Sequence, residues 1–262
     1  MTRHALKLRP LAAAAVFGLA ILAVFAPGAR AEEVFHVYGP GGPLPAVKEA
    51  AGAFSKANGV RLEVVAGPTD KWIAQARTDA DVIFSGSEYM MTDFVKAMEG
   101  RIDEGTIVSL YLRPSAILVR PGNPKAIHDL PDLAKPGMRV LVVQGSGQTG
   151  MWEDMAGKRG DIGLVRALRK NIVSHAPNSA VAKQTWIEKP DIDAWIIYNI
   201  WQVANPKLAD LVTVGKDYAV YRSCGVALTK KGKESPDPAR FAAFLQSKEG
   251  AAIFRKWGWM AP

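Results

Sequence analysis

Four short turns in this sequence are rich in glycine and hydroxyl residues, and each follows a β-rich run and precedes a helical pattern. They span residues 39–42, 67–69, 85–87 and 145–149. Such residues are also what tight turns and helix caps require on structural grounds. However, backbone N–H groups at the start of a helix are unpaired and partly positive, and short hydroxyl side chains add neutral donors. Because the carboxyl ends of parallel strands meet at one edge of a sheet, the four turns predict an anion-binding site there.

The last of these turns matches the dinucleotide-binding pattern G-x-G-x-x-G over residues 145–150. A dinucleotide site of this kind opens a continuous helix and has an acidic residue about twenty positions later. Here Gly157 and Gly160 interrupt the helix, and no acidic residue ends a strand at the expected distance. We therefore interpret the turn as an anion loop and expect no cofactor.

Residues for nucleophilic or metal chemistry are sparse. Cys224 is the only cysteine, and it stands in a strand-like run that indicates a buried thiol. His36, His128 and His175 are isolated from one another, which does not favour a metal site. The motifs G-x-S-x-G, H-E-x-x-H and the P-loop are absent. The sequence thus favours a protein that is not an enzyme, and a hydrolase or transferase that uses Cys224 or a serine is the enzymatic alternative.

Cationic and aromatic side chains could complete an anion site. Three cations could neutralise a bound anion or lie on the solvated surface: Lys71, Arg113 and Arg222. Trp195 and Trp201, close to Tyr198, could form a pocket wall or belong to the core. Asn178 and Ser179 precede a helical pattern, where they fit either an N-cap or a ligand contact.

The first 31 residues have the pattern of a secretory signal. They contain four cations, no acidic residue, an apolar run over residues 11–26, and Ala29 and Ala31 at positions that fit A-x-A cleavage. The apolar run is shorter than the roughly 20 residues that a membrane-spanning helix needs. We expect export to the periplasm, cleavage, and a mature chain that begins at Glu32. Removing the four cations from the formal net charge of +8 leaves +4, so charge does not indicate a nucleic-acid partner.

The rest of the chain has the organisation of an α/β protein. Of all 262 residues 48% are apolar and 22% charged, which excludes disordered and fibrous classes. Strand, turn and helix patterns alternate over residues 34–99 and again from residue 138, which is typical of parallel sheets with crossover helices. A helical tail is predicted over residues 238–257. Two such units predict two lobes around a cleft, with segments 115–120 and 221–228 as hinge crossings.

Six longer stretches carry a family resemblance: residues 37–43, 66–72, 85–88, 111–115, 147–154 and 193–206. They resemble the accessory colonisation factor AcfC family of periplasmic proteins over essentially all of the mature chain. The resemblance implies an α/β, type II periplasmic-binding-protein fold: two parallel-type sheets with flanking helices, joined by a two-strand hinge. This fold is related to the molybdate and sulfate receptors of ABC importers. We expect residues 32–117 with 225–262 to form lobe I and residues 118–224 to form lobe II.

The resemblance also implies a ligand, namely a small oxyanion or a phosphorylated or carboxylated metabolite, held between the lobes. The residues expected to bind it are Gly41, Gly42, Thr69, Lys71, Ser85, Ser87, Arg113, Ser115, Gly147, Gln148, Thr149, Tyr198 and Asn199. Of these, Lys71 and Arg113 would neutralise the charge of a larger anion. The expected partner is an ABC importer, with a second copy of the chain as a further candidate. An adhesin or surface antigen is the alternative function, since the family name records host colonisation.

Overall fold

A computed structural model describes residues 1–2 and 34–262. The expected signal peptide, apart from its first two residues, lies outside the described residues. The described strands are β1 (Phe35–Gly39), β2 (Leu62–Ala66), β3 (Ala80–Ser85), β4 (Val108–Val119), β5 (Val140–Val143), β6 (Ile172–Ala176), β7 (Ala194–Tyr198), β8 (Asp210–Thr213) and β9 (Tyr221–Leu228). The described α-helices are α1 (Leu44–Asn58), α2 (Ile73–Asp79), α3 (Glu88–Ala97), α4 (Met151–Gly157), α5 (Ile162–Asn171), α6 (Ser179–Glu188), α7 (Ile200–Ala204), α8 (Pro236–Leu245) and α9 (Lys248–Lys256).

The strands pair in the order β2-β1-β3-β9-β4-β7-β5-β6, and β8 also pairs with β4. The pairing is parallel among β1, β2 and β3 and among β5, β6 and β7. It is antiparallel wherever β4 or β9 takes part. The sheets are therefore mixed, with parallel strands at both ends and two antiparallel strands between them.

Strand β4 connects the two groups of parallel strands. Its first part, Val108 to Pro114, pairs with β9, and its second part, from Ser115 onward, pairs with β7 and β8. The change of partner falls at the start of segment 115–120, which the sequence predicts as a hinge crossing. Strand β9, the other predicted crossing, pairs with β3 and with the first part of β4, and its first residue, Tyr221, lies opposite Pro114 at this junction. The assignment of residues to two lobes stays a prediction.

Local sequence explains why the elements form. In α1 the buried residues recur at helical spacing, from Ala46 and Val47 to Phe54, so one face of the helix packs on the sheet. The helix ends at Gly59, whose φ of 64° lies in the left-handed region that glycine adopts without a Cβ penalty. All residues of β3, β5 and β7 are buried, as expected for strands covered by helices on both faces.

Three apolar clusters form the core. The largest follows both strand groups and includes the side chains of α1, α8 and α9. A second cluster around Trp72 and Phe94 lies under α2 and α3. A third, around Trp186 and Trp195, lies under α6. None of the described helices is long and apolar enough to cross a bilayer.

The structure adds to the sequence-based expectation, or departs from it, in three respects. The predicted helical tail consists of two helices, α8 and α9, because Ser247 caps α9 by accepting a hydrogen bond from the Gly250 amide. Strand β6 was not predicted, since it is an edge strand with exposed Val173 and has no apolar run. The parallel-type sheets also contain the antiparallel strands β4, β8 and β9, which the alternation of elements did not indicate.

Candidate functional site

A small cavity lies where the turns after the parallel strands meet. Its volume is about 80 Å³, which is room for a few water molecules or one compact ligand. The lining residues are Pro40, Gly41, Gly42, Pro43, Gly67, Pro68, Thr69, Gly86, Met90, Arg113, Gly147, Gln148, Asn178, Ser179, Ala180 and Trp201. They come from the turns that follow β1, β2, β3, β5 and β6, together with side chains from α3, β4 and α7. The carboxyl ends of both groups of parallel strands therefore face one cavity.

Helices α1 and α6 both begin in the cavity wall. Helix α1 follows Pro43 and has no side-chain cap, so its first-turn N–H groups are not satisfied by a capping side chain. Helix α6 begins at Ser179, and the Asn178 side chain accepts only the Val181 amide, at 3.0 Å. The aligned peptide dipoles give each helix start a partial positive charge. Both helix starts favour an anion in the cavity.

Arg113 supplies a full positive charge to the cavity wall. Its side chain is only 4% exposed, and its Nη2 donates to the Gly86 carbonyl at 2.5 Å. Its Nε is buried without a hydrogen-bond partner. Among the described residues no carboxylate pairs with it, and burial lowers the pKa of the guanidinium. A buried cation without a counter-ion is costly, and a ligand anion would supply the missing partner.

Two aromatic rings and two glycines hold the Arg113 guanidinium in place. Its Cζ lies 3.9 Å from the centroid of the Tyr198 ring and 5.1 Å from that of Trp259. A Cβ atom added at Gly42 would lie 2.9 Å from Nη1, and one added at Gly86 would lie 2.9 Å from Nη2. A larger residue at either position would require the guanidinium to shift.

Gln148 and Ser179 form a polar pair on the other side of the cavity. The Gln148 Nε2 donates to Ser179 Oγ at 2.5 Å, and its Oε1 is buried without a partner. Tyr198 donates its hydroxyl to the Gly147 carbonyl at 2.8 Å, and burial raises the pKa of this phenol, which keeps it a donor. These bonds fix the loop after β5 against β7 and against the start of α6.

The sequence-family model for bacterial extracellular solute-binding proteins matches residues 35–260 of the chain. The chain belongs to this family. This is a family of solute-binding proteins and not of enzymes, which agrees with the prediction from the sequence. Comparison with functionally curated proteins found no match.

Solved structures agree with this assignment. PEB3 from Campylobacter jejuni is 36% identical to this chain. The match covers 87% of this chain and 100% of PEB3, with a TM-score of 0.81. A structure of PEB3 bound to L-phospholactate is 35% identical over the same shares, with a TM-score of 0.82. The sulfate-binding protein SubI from Mycobacterium tuberculosis H37Rv is 18% identical over 86% of each chain, with a TM-score of 0.71. These matches confirm the family resemblance and the two-lobed periplasmic-binding-protein fold.

Six of the residues that the sequence singled out line the cavity. They are Gly41, Gly42, Thr69, Arg113, Gly147 and Gln148. Asn178, Ser179 and Trp201, which the sequence left between a structural and a ligand role, also line it.

Five more of the expected residues do not line the cavity and bond to protein atoms. Ser85 Oγ accepts the Gly225 amide at 3.2 Å, Ser87 Oγ accepts the Met90 amide at 3.1 Å, and Ser115 Oγ accepts the Val220 amide at 2.9 Å. Tyr198 supports the guanidinium as described above, and Asn199 donates to the Gly258 carbonyl at 2.7 Å. In the structure these side chains bond within the protein, and two of them, Ser87 and Tyr198, bond to the lining residues Met90 and Gly147.

The structure does not bring the remaining candidates to the cavity. Lys71 is 76% exposed, lies 3.5 Å from the Asp70 carboxylate and borders a separate surface pocket. Thr149 is exposed and is not among the lining residues. Arg222, which the sequence also considered, pairs with Asp154 at 2.5 Å.

Sequence reasoning missed Gly86 and Met90. Gly86 lies inside one of the four turns, between the two serines that were chosen for their hydroxyl groups. Met90 lies in the first turn of α3, and its position three residues after the cap was the available signal.

The structure does not favour the enzymatic alternative. Burial raises the pKa of the Cys224 thiol to about 12, so the thiolate is not formed near neutral pH. Within residues 34–262 no group of histidine, cysteine and acidic side chains could hold a metal ion.

Proposed function

We propose that this protein is a periplasmic receptor that captures a small anion in the cavity beside Arg113 and delivers it to an ABC importer. The anion is an oxyanion or a phosphorylated or carboxylated metabolite. The chain reaches the periplasm through a cleaved signal peptide over residues 1–31. Family membership supports capture of a small solute outside the cytoplasm, and the nature of the ligand follows from the cavity.

The observation that carries the proposal is the unneutralised charge of Arg113. Folding removes this guanidinium from water, and among the described residues no carboxylate compensates it. An isolated buried charge costs several kcal/mol. A ligand anion that reaches the guanidinium recovers part of this cost as binding free energy, whereas a neutral or cationic ligand recovers none.

The remainder of the lining supports the same ligand chemistry. None of the described residues that line the cavity is acidic. Glycine backbone and the starts of α1 and α6 supply neutral donors, which stabilise an anion without adding further buried charge. The cavity thus combines one cation with several uncharged donors, which suits a compact anion.

Both ends of the sheet contribute to the lining. The turns after β1, β2 and β3 supply one wall, and the turns after β5 and β6 supply the other. A ligand that touches both walls stabilises the closed arrangement over an open one. Ligand capture by closure about β4 and β9 follows from this arrangement.

Relatives indicate which anions to try first. The L-phospholactate complex of PEB3, at 35% identity, supports a phosphorylated carboxylate. The sulfate-binding relative shares the fold at 18% identity and supports testing simple oxyanions as well.

Thermal unfolding and calorimetry with a panel of anions test the proposal. Dialysed protein is mixed with L-phospholactate, phosphoglycerates, citrate, sulfate or molybdate, and with glucose as a neutral control. A ligand at about 100 times its dissociation constant adds about 2.7 kcal/mol of stability, which raises the melting temperature by roughly 5–10 °C in a domain of this size. If no anion shifts the transition and none binds by calorimetry, the receptor function is wrong and the adhesin alternative gains support.

A further inference from the structure

A methionine sulfur lies among the donors of the anion cavity. Met90, in the first turn of α3, lines the cavity and is 6% exposed. Its Sδ lies 3.4 Å from the Gly86 amide nitrogen and accepts a hydrogen bond from it. Gly86 is also the residue whose carbonyl accepts Arg113 Nη2. A soft sulfur atom thus occupies a position next to the charge that would hold an anion.

The thioether satisfies this amide only weakly. Thioether sulfur is a poor acceptor compared with an oxygen. The Gly86 N–H therefore avoids the full free-energy cost of burial without a hydrogen-bond partner. It can also exchange the sulfur for a ligand oxygen at little cost in free energy. A stronger acceptor at the same position would occupy the amide and repel a ligand anion.

Oxidation of the sulfur would create such an acceptor. Methionine sulfoxide replaces a flexible apolar group by a polar one that carries a partly negative oxygen. In a cavity of about 80 Å³, the added oxygen also takes up part of the space for a ligand.

We propose that Met90 is an oxidation site that switches off anion capture when the protein meets a hydroperoxide. This proposal rests on the proposed receptor function and concerns regulation of the same cavity. A sulfur lone pair attacks one oxygen of the peroxide, the O–O bond breaks, and a sulfur–oxygen bond forms. The proton on the transferred oxygen moves to the departing oxygen, which leaves as water when the oxidant is hydrogen peroxide. The sulfur loses two electrons and the peroxide gains them.

The position of Met90 distinguishes it from the other methionines of the described chain. Met91, Met98, Met151 and Met155 belong to the core and are at most 2% exposed, and Met138, at 8%, does not line the cavity. Met260 is 52% exposed but does not line the cavity. Only at Met90 does a small oxidant that enters the cavity meet a sulfur next to the expected donors.

The test compares ligand affinity before and after peroxide treatment. Dialysed protein is treated with hydrogen peroxide, the sulfoxide at each methionine is quantified by peptide mass spectrometry, and L-phospholactate affinity is measured by calorimetry. The other anions of the panel are measured in the same way. We expect Met90 to be oxidised faster than Met91, to be protected by bound ligand, and to lower the affinity at least tenfold when oxidised. Methionine sulfoxide reductase should restore the affinity.

Two matched variants locate the effect. Met90→Leu should have the same affinity before and after peroxide, and Met91→Leu, whose side chain lies in the core, should lose affinity as the wild type does. An equal loss in Met90→Leu, or unchanged wild-type affinity with Met90 fully oxidised, would overturn the proposal while the receptor function stands. Resistance of Met90 to oxidation in the folded protein would overturn it as well. If the untreated protein binds no anion of the panel, the receptor function and this proposal fail together.

Discussion

Replacing Arg113 by Met should separate ligand affinity from the stability of the fold. Methionine keeps most of the aliphatic volume between the Tyr198 and Trp259 rings but removes the charge. In the ligand-bound protein the anion then faces no cation. Truncating one partner of a buried charge pair costs about 2–5 kcal/mol, so the dissociation constant should rise by about 30-fold to several thousandfold.

The unliganded protein should change much less. The substitution removes the bond to the Gly86 carbonyl, about 1.5–3 kcal/mol for a charged donor, and the contacts to the two rings, about 0.5–2 kcal/mol. It also removes an unpartnered buried Nε and the desolvation of the guanidinium, which together cost several kcal/mol. Because the two sets of contributions oppose each other, the free energy of unfolding should stay within about 2 kcal/mol of the wild-type value or rise.

Arg120, just after the end of β4, is the matched control. Its guanidinium also covers an aromatic ring, with Cζ 3.6 Å from the Trp186 centroid. It donates to the carbonyls of Ile192, Trp186 and Lys189 at 2.8, 3.0 and 2.6 Å, and so binds the end of α6. Because these three bonds are partly or fully exposed and contribute about 1 kcal/mol each, Arg120→Met should lower the free energy of unfolding by about 2–3 kcal/mol and leave anion affinity unchanged.

Calorimetry with an anion that binds the wild type, together with urea unfolding of the unliganded proteins, measures both quantities. Arg113→Met should lose affinity without losing stability, and Arg120→Met should lose stability without losing affinity. Wild-type affinity in Arg113→Met would refute the role of the buried charge. Equal losses of affinity in both variants would show that the effect is general destabilisation.

Two further predictions follow from local geometry and charge. Gly42→Ala adds a Cβ 2.9 Å from the Arg113 guanidinium and should weaken anion binding roughly tenfold, a contact worth about 1.4 kcal/mol. Gly52→Ala, where a Cβ meets nothing within 4 Å, should leave calorimetric affinity unchanged and raise stability by about 0.5–1 kcal/mol. The hydrogen bond from Lys256 lowers the pKa of Glu49 below its ordinary value of 4.5. The pair therefore stabilises the fold fully above about pH 4.5, and this stabilisation is lost as the pH falls through the pKa of Glu49 in the folded protein. When the pH is lowered from 7 to about 3, Lys256→Met should lose less stability in thermal unfolding than the wild type does. The difference between the two losses should be under about 1 kcal/mol, because the pair is partly exposed. Equal losses of stability in the two proteins would contradict this prediction.

Much of the fold follows from local sequence. The alternation of strands, glycine turns and helices depends on hydrophobic period and on turn residues, which act over a few positions. The boundaries of β7 and the face of α1 agree with the pattern for this reason. Edge strand β6 and the antiparallel partners of β4 depend on contacts between distant segments, and local pattern does not reveal them.

The sequence by itself determined that glycine and hydroxyl turns follow the strands, and that a solute-binding family resemblance extends over essentially all of the chain after residue 31. Both are properties of residue type and order. The tertiary structure decided which side chains meet the cavity. A register shift in β4 between Ser109 and Tyr111 affects which face of the strand each later residue occupies, because side chains alternate along a strand. Arg113 is thus buried beside Gly86, while Lys71, of the same charge, remains in solvent near Asp70. Burial without a counter-ion arises only when distant parts of the chain come together, and among the described residues it distinguishes Arg113 from the other cations.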